Sequence, residues 1–341
     1  MNTKPSLLGK TTVVGAGAWG TALACLLAEI SREVWLWAYE PEVVEDINHR
    51  RQNQLYLPQI ELPTNLRASG DFSEALVGGE LVLMVVPSHV LRQVARQAAE
   101  HLPAGVPLVC ATKGIENDTL LTPAEILEEV LPIVYHPMLA FLSGPSFARE
   151  VARRQPTAVS VAARFEKVAE RVQQLMSTSY FRIYTTTDVM GVELGGALKN
   201  VIAIAAGAAD GLGLGSNAVA ALVTRGLAEI SRLAVKRGAN PLTLSGLSGM
   251  GDLVLTCYGE LSRNRMVGQK LGRGERASAI TSGMRQVAEG VRTSFSVHQL
   301  AQREGVEMPI CEVVYRMLYQ DLEARQAVAS LMGRSLKREI Y

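Results

Sequence analysis

Disulfide chemistry and metal clusters are the first things this sequence does not support. Its 341 residues contain four cysteines, Cys25, Cys110, Cys257 and Cys311, far apart, with no C-x-x-C pair and no neighbouring histidine. This pattern argues against a zinc site or a disulfide framework; the expectation is reduced, mostly buried thiols, no metal and a cytoplasmic setting. An excess of one charge is also lacking: 34 basic against 33 acidic residues leave a net +1 with histidine neutral. No global field invites nucleic acid or an anionic membrane, so attraction for an acidic ligand must be local. Long apolar runs are scarce. Apart from a stretch near the start, the most apolar segment is VIAIAAGAA (201–209), far short of the ~20 residues that span a bilayer, and no membrane insertion is expected. There is no low-complexity linker and no internal repeat. What is present, 48% hydrophobic and 20% charged residues, is ordinary globular composition, and the length suggests about two domains.

The stretch near the start, TTVVGAGAWGTALACLLAEI (11–30), has two readings. Lys4 and Lys10 ahead of a small-residue apolar run suggest a signal peptide. A dinucleotide-binding turn accounts for more. Thr11 to Val14 reads as a β-branched strand, Gly15, Gly17 and Gly20 follow in G-x-G-x-x-G spacing, and Thr21 onward reads as a helix. Such glycines give a tight turn, close approach of backbone to a pyrophosphate, and tight helix–strand packing. The phosphates then sit on free N–H groups at a helix N-terminus.

Up to about residue 190, short β-rich runs alternate with helical segments: EVWLWAY (33–39), ELVLMVVP (80–87), PLVCATKG (107–114), MLAFLSGP (138–145), TAVSVAA (157–163) and FRIYTTT (181–187). Near-continuous apolar strands with helices in between predict a mostly parallel sheet buried on both faces. Several runs end in turn signals with polar residues, at Pro87-Ser88-His89, Thr112-Lys113-Gly114 and Ser143-Gly144-Pro145-Ser146. Ligands of open α/β sheets bind beyond the carboxyl ends of the strands. Past residue 190 the strand signals stop. Leu194, Leu198, Val201, Ile202 and Ala205 recur at helical spacing, and 217–238 reads as a strong helix ending at Gly238. The expected fold class is α/β, with an N-terminal Rossmann-type, mostly parallel-sheet domain over 1–190 and an all-α C-terminal domain over 191–341.

Reducing a ketone needs, besides a nicotinamide, a proton donor at the carbonyl oxygen and a grip on the rest of the substrate. Lys199, with Asn200 beside it, lies in the Gly/Ala-rich apolar helix ELGGALKNVIAIAAG (193–207). A snorkelling lysine at a helix edge is the commoner arrangement, but the surrounding residues are too small and apolar for an exposed face. Held there beside other cations, its pKa would fall toward useful acid–base work. Asp252 sits in a Gly-rich turn, and Ser262, Arg263 and Asn264 open a later helix. A hydroxyl, a guanidinium and an amide together suit a phosphate. Ser262 also suits a plain N-cap with Arg263 solvated, although a cation in the first turn opposes the helix dipole. Lys113 is a second candidate cation. Glu40, twenty residues past Gly20, competes with Tyr39 for the strand tip where a carboxylate accepts the ribose 2′-hydroxyl. His49, Arg50 and Arg51 lie a helix further on, so cofactor choice stays open. His89 and His136 are given structural roles ahead of chemical ones.

In order along the chain, VGAGAWGTALA, VVPSHV, ATKGIE, SGPSFAREVA, GVELGGALKNVIAIAAG, TRGLAEISRL, GMGDLVLTC, SRNR and VAEGVRT resemble the NAD(P)-dependent glycerol-3-phosphate dehydrogenases of bacteria. The similarity runs over about residues 11–335. It implies a homodimer that interconverts dihydroxyacetone phosphate and sn-glycerol 3-phosphate with NAD or NADP, supplying the phospholipid backbone. It further implies Lys199 as general acid/base, and Lys113, Gly144, Ser146, Asp252, Ser262, Arg263 and Asn264 lining a small phosphorylated triose. Asn200 joins that set by its place beside Lys199. Ala18, Trp19, Tyr39, Ala148, Arg263, Val287 and Glu289 are implied at the cofactor, together with Lys113 and the glycines Gly15, Gly17 and Gly20. Two positions depart from the family pattern. Arg154, in ARRQPTA (152–158), stands where the family usually has glycine, and Tyr39 where some relatives carry histidine or arginine. The first bears on loop conformation, the second on NAD against NADP. Two rival readings are weaker. A hydroxyacid or 6-phosphogluconate-type dehydrogenase is opposed by the SRN triplet with Asp252. A non-catalytic dinucleotide sensor needs no lysine in an apolar helix and would add a DNA-binding segment, which the charge pattern lacks.

Overall fold

The β-branched and leucine-rich runs of the first half form eight strands: β1 (Leu8–Val14), β2 (Ser31–Trp37), β3 (Leu66–Ser69), β4 (Gly79–Met84), β5 (Leu108–Cys110), β6 (Leu139–Ser143), β7 (Thr157–Ala162) and β8 (Phe181–Thr186). They make one sheet in the order β3-β2-β1-β4-β5-β6-β7-β8. Every pairing is parallel except β6 with β7. The computed structural model describes residues 7–284, 288–336 and 338–339. These fall into two compact units, one of residues up to Gly114 with Leu121–Glu193, the other of Ile115–Leu120 with residues from Leu194 onward.

Successive strand residues point to opposite faces, which builds two cores from one sheet. Val13, Leu36, Leu81 and Leu83 are buried on one face; Val14, Trp37, Val82 and Met84 are buried on the other. Chain order along the sheet reverses at β1 and β4, the switch point where doubly wound sheets bind their ligands. The sequence patterns missed β3. Its four residues, Leu-Arg-Ala-Ser, include an exposed Arg67 and no β-branched side chain, so only pairing with β2 makes it a strand. Helix α1 (Ala18–Leu27) starts three residues ahead of Thr21 because Gly17 is its N-cap.

Among the described residues of the second unit, every regular element is helical. The segment Ile115–Leu120 belongs here through Ser296, whose hydroxyl bonds to the Ile115 carbonyl and to Asn117 Oδ1 at 3.0 and 2.7 Å. The apolar run 201–209 proves to be the C-terminal part of a much longer helix, Val189–Gly211. The apolar segment is therefore longer than the run alone suggests. Its 23 residues reach bilayer-spanning length and hydropathy, but 89% of its most apolar window is buried inside the protein. Close packing against the helix Arg263–Gly272 explains its small residues. A Cβ on Gly207 would lie 2.0 Å from the Arg265 carbonyl oxygen, and one on Gly268 2.0 Å from that of Ile204.

Candidate active site

The turn after β1 has the steric form that a pyrophosphate requires. Gly15, at φ +116°, donates its N–H to the Trp37 carbonyl at the end of β2 at 3.0 Å. A Cβ on Gly20 would stand 1.8 Å from the Gly15 carbonyl oxygen, so only glycine lets α1 pack here; a Cβ on Gly17 would meet nothing within 4 Å. The spare space therefore lies at the helix N-terminus. No side chain caps α1, which leaves its first N–H groups for an anion. Ala18, Trp19 and Ala148 pack against one core cluster beside this turn. The indole Nε1 of Trp19 is buried without a hydrogen-bond partner among the described residues. A dinucleotide fits these features.

Lys113, Gly144 and Ser146 come together at the carboxyl ends of β5 and β6. Lys113 Nζ and Ser146 Oγ both donate to the Gly144 carbonyl, at 3.4 and 3.0 Å. Tyr39 is 81% exposed just past β2. His136 bonds to the Leu131 carbonyl at 2.9 Å, in line with a structural role. Arg154 adopts φ +58°, the left-handed region where glycine is favoured. Its guanidinium pairs with Glu29 at 2.9 Å, and the Tyr180 hydroxyl donates to the same carboxylate.

In the second unit the structure gathers Lys199, Asn200, Asp252, Ser262, Arg263, Asn264 and Glu289. Lys199 is only 7% exposed and is ion-paired to Asp252, itself buried, at the start of the helix Asp252–Tyr258. The partner the structure gives Lys199 is thus a carboxylate, that of Asp252. Asn264 is held on both sides: its Nδ2 donates to Asn200 Oδ1 and its Oδ1 accepts from the Gly290 N–H, each at 2.9 Å. Ser262 is the N-cap of Arg263–Gly272, accepting from the Arg265 N–H at 3.2 Å, so capping is its observed duty. Arg263 follows it, exposed at the surface. Desolvation lowers its pKa and the nearby Glu289 carboxylate raises it. Val287 lies outside the described residues.

Sequence reasoning passed over Glu193, which opens the same motif as Lys199. Buried at 8% exposure, it accepts from the Ala124 N–H at 2.8 Å, at the start of the helix Pro123–Val130. Burial pushes its carboxyl up to about 8. The signal was available: an acid among the apolar residues of Val189–Gly211 is as conspicuous as its lysine. Among the described residues, no cluster of three or more His, Cys, Asp or Glu side chains could hold a metal.

Residues 10–169 match the family model described as NAD-dependent glycerol-3-phosphate dehydrogenase N-terminus, and residues 188–329 match its C-terminus counterpart. The chain is 56% identical over 331 residues to a glycerol-3-phosphate dehydrogenase (NAD(P)+) of Anaeromyxobacter sp. (strain K), covering 97% of this chain and 100% of the relative. With the protein of the same name from Myxococcus xanthus (strain DK1622) it shares 57% over 329 residues, 96% of this chain and 98% of the relative. The crystal structure of glycerol-3-phosphate dehydrogenase from Coxiella burnetii is similar at TM-score 0.91 and 40% identity, covering 97% of this chain and all of that one (100%).

Proposed function

The chain belongs to the NAD-dependent glycerol-3-phosphate dehydrogenase family, and from that premise we propose that Lys199 moves the proton of its reaction. That reaction interconverts dihydroxyacetone phosphate and sn-glycerol 3-phosphate with NAD(P)H. The bound nicotinamide supplies or accepts the hydride at C2. The observation that supports Lys199 is its burial against Asp252. The carboxylate favours the ammonium form, so the side chain holds a proton to give to the C2 oxygen as the carbonyl is reduced. In the opposite direction the neutral amine takes the hydroxyl proton, and Asp252 stabilises the ammonium that results.

Arg263 presents a planar fork suited to the substrate phosphate, with Asn264, Asn200 and Ser262 fixing the backbone around it. Lys113, Gly144 and Ser146 contact substrate in this reading, and Lys113 the cofactor as well. Gly15, Gly17, Ala18, Trp19 and Gly20 hold the pyrophosphate; Tyr39, Ala148, Arg263, Val287 and Glu289 serve the rest of the dinucleotide. A cytoplasmic homodimer feeding phospholipid synthesis completes the proposal.

The test is Lys199→Ala, assayed at 340 nm with dihydroxyacetone phosphate and titrated with NADH by fluorescence. Turnover is expected to fall by about 10²–10⁴ with NADH affinity unchanged. A variant within about threefold of wild-type turnover removes Lys199 from the proton step.

A further inference from the structure

We infer that a groove between the helices Gly215–Lys236 and Pro309–Tyr319 binds an aliphatic chain with an anionic head, a phosphate or a carboxylate. The groove lies wholly within the second unit, and none of its residues belongs to the substrate or cofactor sets above. This open cavity measures about 700 Å³, a size that takes a small organic molecule. Arg225, Arg232 and Lys236 line it from the first helix at i, i+7 and i+11, a spacing that puts them on one helix face. Arg334 lines it too, and Glu307 is the one acid among its described lining residues. The remaining walls are largely aliphatic, from Val235, Val306 and Pro309. Val235 is 46% exposed, apolar surface that a bound chain would cover. Among the described residues that line the groove there is no aromatic ring, so it suits an alkyl chain better than a stacked base.

The four cations are differently committed. Arg232 Nη2 donates to the Glu307 carbonyl at 2.9 Å, and Arg334 Nη2 meets the Glu307 carboxylate at 3.2 Å. Arg225 and Lys236 make no hydrogen bond or ion pair among the described residues. Arg225 is half-buried all the same, and a guanidinium partly withdrawn from water is best satisfied by an anion. The backbone at the start of Pro309–Tyr319 has nothing to offer that anion. Buried Glu229, on the same helix as the cations, already takes the Ile310 and Cys311 N–H groups at 2.8 and 3.2 Å. Side chains therefore hold the head, the planar fork of Arg225 above all. A second recess of about 320 Å³ shares Val306 and Pro309 with the groove and adds Ala301 and Met308, which gives the chain an apolar path away from its head. Glu312, the acid this recess adds, is paired with His298 at 2.5 Å.

Isothermal titration with octyl phosphate below its micelle concentration tests this in wild type, the double variant Arg225→Gln/Lys236→Gln, Val306→Asp and Arg263→Ala. Thermal melts confirm folding, and the double variant decides alone if Val306→Asp does not fold. Wild type and Arg263→Ala are expected to bind octyl phosphate alike. Both should bind it at least about tenfold tighter than inorganic phosphate or octanol, since head and chain each contribute. The double variant and Val306→Asp are each expected to weaken binding at least about fivefold, with turnover of dihydroxyacetone phosphate kept within about twofold of wild type. No binding by wild type, affinity no better than that of inorganic phosphate, or affinity unchanged in both groove variants overturns the proposal. Loss confined to Arg263→Ala moves the ligand to the substrate site and overturns it as well. A groove variant that changes the oligomeric state in gel filtration gives the groove to a second copy of this chain instead.

Discussion

The glycine turn after β1 and the polar cluster around Lys199 are built by opposite means. The turn works by leaving side chains out: a Cβ on Gly20 would strike the Gly15 carbonyl, while the space in front of Gly17 is open. The cluster works by putting side chains in. An ammonium, a carboxylate and two amides, those of Lys199, Asp252, Asn200 and Asn264, are buried on helices of the second unit. The first plan is local and shows in residue spacing. The second closes contacts across 53 and 64 residues, Lys199 to Asp252 and Asn200 to Asn264, so its members are visible singly and its pairings are not.

Adding the same side chain at two glycines breaks the comparison most sharply. Gly17→Val is expected to abolish NADH binding in a fluorescence titration and leave Tm unchanged, since nothing in the protein stands in its way. Gly20→Val is expected to lower stability by about 1–3 kcal/mol or more through overpacking, read as a lower Tm. Equal Tm losses would erase the distinction between a steric glycine and a ligand-facing one.

The side-chain plan is probed by pH through Glu193. Its carboxyl ionises near 8 in the folded protein but near ~4.3 in an unfolded chain. Between those values the folded state holds one more proton. Stability is therefore present in full at low pH and is lost as pH rises toward 8 and through it. Tm is expected to fall from about pH 6 to about pH 9, and Glu193→Gln to flatten that part of the slope. An unchanged slope in the variant assigns the effect to another group.

The smallest effect belongs to Arg154, where a side chain holds a backbone conformation suited to glycine. Arg154→Ala keeps the left-handed φ and loses the pair with Glu29, and is expected to cost at most about 1 kcal/mol in denaturant unfolding. Arg154→Gly is expected to stay within ~0.5 kcal/mol of wild type, because the relieved backbone offsets the lost pair. A loss as large as that of alanine refutes the backbone argument.

Most of the sheet and the helical second half were legible because apolar periodicity is itself the cause of burial. What escaped were elements with no such cause. β3 exists through its pairing with β2, and Ile115–Leu120 joins the second unit through Ser296, about 180 residues away. In the site, Lys199 stood out as a charge among apolar residues and Asp252 as an acid in a Gly-rich turn, but their pairing across 53 residues emerged only with the fold. Ser262 was legible as an N-cap, while the bonds by which Asn264 joins Asn200 and Gly290 emerged only with the fold.

The long buried helix Val189–Gly211 has a different character while the chain is still being made. It is apolar enough to cross a bilayer, and the glycine that seats it, Gly268, follows it by some sixty residues. Until that partner is synthesised, any sorting machinery that reads hydropathy meets a segment resembling a membrane anchor. Lys199 weighs against that fate, since a lysine at mid-helix opposes insertion by about 2.5–3.5 kcal/mol on translocon scales. A charge at mid-helix thus lowers the nascent segment's tendency to insert, a contribution that ends once the protein has folded.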